Sequence, residues 1–159
     1  MEQKSLARWL KVVLAGVGIC ALVVYFVVLP MYGSSLMAEY PEFAGRFWPW
    51  MIFLWATAIP VAAILIFGWK VAGNIGLDRS FSLENANYLR SISFLAVADG
   101  IFFFAGNLVL LFTDNSHPGI VLFSLLVVFA CIAIGVAAAA LSHLVKKAAD
   151  LQEQSDLTI

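Results

Sequence analysis

Asp99 is the one ionisable residue set well inside an apolar run of this 159-residue chain, and its carboxyl group is the first candidate for chemistry. A carboxylate in hydrocarbon costs several kcal/mol unless it is protonated, paired or hydrated, and burial favours the neutral acid. Nine residues separate Asp99 from Arg90, about 13 Å along a helix, which puts it near mid-depth of a bilayer. The same count along the other apolar runs brings Cys20, Val61 beside Pro60, and Ala137 to that level. A proline inside a helix leaves the carbonyl four residues earlier, here Ala56, without its donor, and often bends the helix. A protonated Asp99 could donate to that carbonyl or to Thr57. Asn107 lies two turns further along and could hydrogen-bond between helices. Two readings stay open for Asp99, Thr57, Pro60 and Asn107: structural glue between helices, or a ligand, ion or proton site.

Other chemistry is hard to place. There is no HExxH, no GxSxG, no CxxC pair and no phosphate-cradling glycine loop, since no Lys-Ser follows Gly73 and Gly76. His117 and His143 fall at opposite ends of one apolar run, so they cannot share a metal, and Cys20 and Cys131 read as small apolar side chains. The expectation is a non-enzymatic protein with no cofactor and no metal. The net charge of −1 carries no basic patch for direct nucleic-acid binding.

The elements that hold these residues follow from where charge is missing. The chain is 63% hydrophobic and 12% charged, against about half and a quarter in soluble domains. Charges are absent from 12–29, 47–69 and 118–142, and Asp99 is the only one in 91–113. About 20 apolar residues cross a hydrocarbon core as a helix. Strands of a membrane barrel would alternate apolar and polar residues, whereas 121–140 is apolar on every side. The fold class is therefore all-α, a polytopic membrane protein with four spans at about 9–29, 50–69, 91–112 and 119–142 in an antiparallel bundle. The first run follows Lys4, Arg8 and Lys11 as in a signal peptide, but it is too long and no small-x-small site follows Pro30.

Eight of the nine lysines and arginines fall in the N-terminal segment, the loop 70–90 and the tail 143–159, leaving only Arg46 on the other side. The positive-inside rule then puts both termini and that loop in the cytoplasm, in a bacterial inner membrane. Tyr32, Tyr40, Trp48 and Trp50 mark the outer headgroup level, and Trp9 and Trp69 the inner one. Gly135 and the alanines 137–140 of the last span allow close packing, within the bundle or between copies as a homo-oligomer.

Two cytoplasmic segments stand out. Ser82 can cap the helix entering the third span, with Glu84 at its positive end. The tail continues the fourth span for about two turns, with Leu144, Ala148 and Leu151 on one side. The pattern Phe81-Ser82, Glu84-Asn85 and Leu89-Arg90, with the ending Leu151-Gln-Glu-Gln-Ser-Asp156-Leu157-Thr-Ile159, resembles a bacterial family of four-helix membrane proteins of unknown function. The family more often has Asn or an acid where Ser155 stands, and Asp99 is not part of the pattern. Members are often encoded beside a very small Cro-like helix-turn-helix regulator. The resemblance implies a membrane partner that sequesters or informs such a regulator, with Phe81, Glu84, Asn85, Arg90, Leu151, Asp156, Leu157 and Ile159 as candidate contacts. The alternative is a small transporter or ligand sensor built around Asp99.

Overall fold

The computed structural model describes residues 2–116 and 118–156, with the side chains of residues 43, 44 and 156 excepted. His117, Leu157 and Ile159 therefore lie outside the described residues. The first helical rod comprises α1 (Gln3–Val23), a π turn (Val24–Val28) and α2 (Leu29–Glu39). A 3-10 segment (Pro41–Arg46) leads to α3 (Phe47–Gly76), followed by α4 (Leu83–Phe112) and α5 (Pro118–Asp156). All four rods are long and apolar enough to cross a membrane, and among the described residues there is no strand. The bundle has two ends. Its terminal face carries the N-terminus, the 77–82 connection and the end of α5, and its turn face carries the segments near 40–46 and 113–116.

Local chemistry sets the helix ends. Ser82 is extended, and its hydroxyl accepts from the Asn85 backbone N–H at 3.2 Å, with Glu84 in the first turn of α4. Both α3 and α4 close in the same way. After α3, Asp78 has φ 62°, its N–H donates to the Ile75 carbonyl, and the Arg79 N–H donates to that of Asn74. After α4, Asp114 has φ 54° and donates to Leu111, while Asn115 donates to Leu110. Each is a Schellman motif with aspartate in the left-handed position more often given to glycine. Pro118 opens α5, where its missing N–H costs nothing.

Two helices outrun their expected limits. The first does not stop at residue 29 but continues to Glu39, and α5 extends about four turns beyond 142 instead of two. Charge resumes after residue 142, which marks the end of the hydrocarbon stretch and gives α5 no reason to stop, whereas charge stays absent to residue 38 and the first rod passes Pro30 by way of the π turn.

The helices pack antiparallel in chain order: the first rod on α3, α3 on α4, and α4 most extensively on α5, with no close backbone approach between the first rod and α5 among the described residues. The arrangement is thus an open row. Between α3 and α4, Phe53 lies stacked on Phe103 with centroids 5.9 Å apart, in space that exists because residue 106 is glycine. A Cβ there would fall 2.0 Å from the Phe53 ring. Between α4 and α5 the seam is small: Ser124, Cys131, Gly135, Ala138 and Ser142 recur at spacings of three, four and seven. A Cβ on Gly135 would sit 2.5 Å from Val97 Cγ2, and the Ser142 hydroxyl donates to the Ala86 carbonyl at 2.7 Å. Ala137, Ala139 and Ala140 face outward, so only part of the small-residue run serves this packing.

Candidate functional site

Two places gather the residues singled out by the sequence. The first is a polar layer inside the bundle. Its origin is Pro30. The π turn carries a Leu29 N–H to Val24 carbonyl bond, one residue wider than an α-turn. Such widening relieves the clash between a proline ring and the preceding turn. The next bond in that register would join Pro30 to the Tyr25 carbonyl, but proline has no N–H. The indole Nε1 of Trp55 on α3 donates to the Tyr25 carbonyl instead, at 3.0 Å. This exchange fixes the first rod against α3 and holds Tyr25 inward.

The Tyr25 hydroxyl meets Thr57 Oγ1 at 2.8 Å, and the Thr57 hydroxyl donates to the Leu54 carbonyl at 2.7 Å. With the threonine proton so used, the tyrosine must be the donor between them. Asp99 on α4 is buried, and its Oδ1 has no hydrogen-bond partner. Gly100, the residue after Asp99, packs directly on Cys131 of α5, where an added Cβ would fall 2.9 Å from the Cys131 Cβ. All four spans therefore contribute to one layer: Tyr25, Thr57, Asp99 and Cys131.

This differs from the expected pairing of Asp99 with Thr57 or the Ala56 carbonyl. Thr57 is taken by Tyr25 and its own helix, and α3 runs through Pro60 without interruption. The proline whose missing donor calls in a distant side chain is Pro30. Asn107 is fully buried nearer the turn face, with its Nδ2 donating to the Phe103 carbonyl at 2.8 Å and its Oδ1 unpaired. Among the described residues no group of three or more His, Cys, Asp or Glu could hold a metal.

The second place is the terminal face. The 77–82 connection and the end of α5 meet around a cleft of about 540 Å³ lined by Gln3, Arg79, Phe81, Ala149, Gln152 and Glu153. The Ser80 hydroxyl donates to Gln3 Oε1 at 2.9 Å, tying the connection to α1. Phe81 and Leu151 are exposed apolar side chains on this face. Glu84 is exposed and accepts from the Tyr88 hydroxyl at 2.7 Å and from Asn74 Nδ2 at 3.3 Å. Arg90 is exposed two turns into α4 and does not line the cleft.

Asn85 is corrected from a surface contact to an interior one. It is 1% exposed; its Nδ2 donates to the Arg79 and Ser80 carbonyls, both at 3.1 Å, and its Oδ1 accepts from Asn74 Nδ2 at 2.9 Å. Its role is to hold the connection in shape. The Asp156 backbone ends α5, while Leu157 and Ile159 fall outside the described residues.

A family described as a protein of unknown function (DUF2975) matches residues 32–159, from the second half of the first rod to the end of the tail. The chain belongs to this family. The uncharacterized membrane protein YoaS of Bacillus subtilis (strain 168) is 31% identical over 153 residues, covering 95% of this chain and 96% of that relative. No solved structure matches the chain. The family match embraces the Asn74–Asn85 pair, most of the cleft and three of the four members of the polar layer. Of that layer only Tyr25 lies before it. Tyr25, Trp55 and Ser124 were not among the sequence candidates. In a chain with 14% aromatic residues a tyrosine inside a span gives little signal, and the one clue was its position five residues before Pro30.

Proposed function

We propose that this membrane protein is a non-enzymatic partner of a small soluble transcriptional regulator, which it holds or informs at its terminal face. The lysine and arginine distribution supports a cytoplasmic orientation of that face, in a bacterial inner membrane on this reading. The observation that carries the reading is the cleft itself: two segments about 70 residues apart in sequence converge there, with exposed Phe81 among the lining beside Arg79 and Glu153, and exposed Leu151 nearby on α5. Apolar anchors flanked by charges suit a protein surface better than a small polar solute.

Co-purification from native membranes with the regulator encoded alongside tests the reading. Wild type retrieves the regulator, and a double substitution Phe81→Glu with Leu151→Glu reduces retrieval at least several-fold, as does removal of residues 151–159. Equal retrieval by all three refutes it. A photo-crosslinking residue at Phe81 should capture the same protein that one at the lipid-facing Ile59 does not.

A second reading draws on Asp99. A buried carboxyl oxygen without a partner, beside a hydroxyl pair from two other spans, is a fair start for a proton, ion or ligand site in a small transporter or sensor. Asp99→Asn should then change proton or ligand dependence in proteoliposomes. Unchanged dependence with unchanged stability leaves the layer as structural glue.

A further inference from the structure

The open row of helices is concave near the turn face. Among the described residues the backbones of the first rod and α5 do not approach closely, and between them lies a groove of about 980 Å³ with α3 and α4 as its floor. Tyr32, Leu54, Phe103 and Phe123, one from each span, give it an apolar lining. Its volume falls within the range of small-molecule pockets.

Two polar groups of the groove share one property. Asn107 at the floor and Ser116 at the rim each line it, and each has a buried oxygen, Oδ1 and Oγ respectively, without a hydrogen-bond partner. Ser124 also lines it. Its hydroxyl proton is committed to the Val121 carbonyl at 2.7 Å, so its oxygen is left to accept. The antiparallel register of α4 and α5 puts Asn107 and Ser124 at one level, about 8–9 Å inside the helix ends. At the rim the Arg46 guanidinium bonds the Asp114 carbonyl, and the Trp50 indole bonds the Asn115 carbonyl at 2.9 Å. The floor of the groove thus presents acceptor oxygens, Asn107 Oδ1 and Ser124 Oγ. A bare acyl chain would leave these oxygens desolvated and unpaired, and a carboxylate or phosphate would add more acceptors.

We propose that the groove binds a neutral amphiphile from the turn-face leaflet, with an apolar chain along the aromatic lining and a hydroxyl group donating to Asn107 or Ser116. This holds irrespective of what docks at the terminal face.

The test uses the full chain in lipid nanodiscs and two photoreactive probes: a long-chain primary alcohol with a mid-chain diazirine, and its methyl ether, which lacks the donor. The alcohol should label groove residues at least about fivefold more than the ether. Asn107→Leu, or Ser116→Ala as the variant less exposed to folding failure, should bring alcohol labelling down toward that of the ether. Val127→Trp, which fills the groove from α5, should reduce both. Equal labelling of wild type by the two probes, or labelling spread evenly over the lipid-facing positions Phe94 and Ile101, overturns the proposal.

Discussion

Asn85→Ala should destabilise the protein by about 2–3 kcal/mol. The wild-type side chain makes three hydrogen bonds, two to carbonyls of the 77–82 connection and one from Asn74. A net contribution near 1 kcal/mol for each sets the scale. Arg79 is exposed and Ser80 half-buried, so water can reach the freed carbonyls, which keeps the loss below the full penalty for buried unpaired groups. Asn85→Asp should cost at least as much, because it keeps the acceptor for Asn74 but turns a carboxyl oxygen toward two carbonyls. Reversible unfolding in mixed micelles gives the stability, and a double-mutant cycle with Asn74→Ala isolates the pair, with a coupling of about 1 kcal/mol expected. An Asn85→Ala protein within about 0.5 kcal/mol of wild type, or full additivity with Asn74→Ala, would refute the role assigned to this residue.

Trp55→Phe removes the donor for the Tyr25 carbonyl and should cost about 1–3 kcal/mol, with faster amide exchange around the π turn. Adding Pro30→Ala restores a backbone N–H, so the tryptophan should matter less in that background. Gly106→Val drives the Phe53 ring off Phe103 and should cost about 1–3 kcal/mol; a neutral result would show that the ring has another place to go. Asp114→Gly relieves a left-handed aspartate and should stabilise by up to about 1 kcal/mol in the same assay. If copies associate through the outward alanines of α5, Ala137→Trp lowers the mass in native mass spectrometry. An unchanged mass assigns that face to lipid.

The four spans were legible because excluding charge over some 20 residues is a one-dimensional signal, and the Ser82 cap was legible because a capping residue acts on its immediate neighbours. The passage of the first rod beyond residue 29 was not legible, because a proline at the end of an apolar run usually marks the end of a helix. Its continuation depends on an indole 25 residues later, a tertiary fact that no local pattern encodes. Asn85 misled in another way: a polar residue beside a loop reads as exposed, and only the meeting of α3 with α4 shows that its three partners surround it. Asp99 stands out by its rarity, yet depth alone fixes its level along the membrane normal and leaves its azimuth, and so its neighbours, open. The groove had no signature at all, since it arises from a close approach that the first rod and α5 do not make among the described residues.

That missing approach bears on how the chain is made. Among the described residues each helix packs its backbone closely on its neighbours in sequence, so each can reach its predecessor as soon as it enters the bilayer. No early segment has to wait, unsatisfied, for the last one to arrive and close a ring. Assembly from such local encounters avoids the delay that distant pairings impose, and it limits the time for which a polar group such as Asn85 stands unpaired during biogenesis.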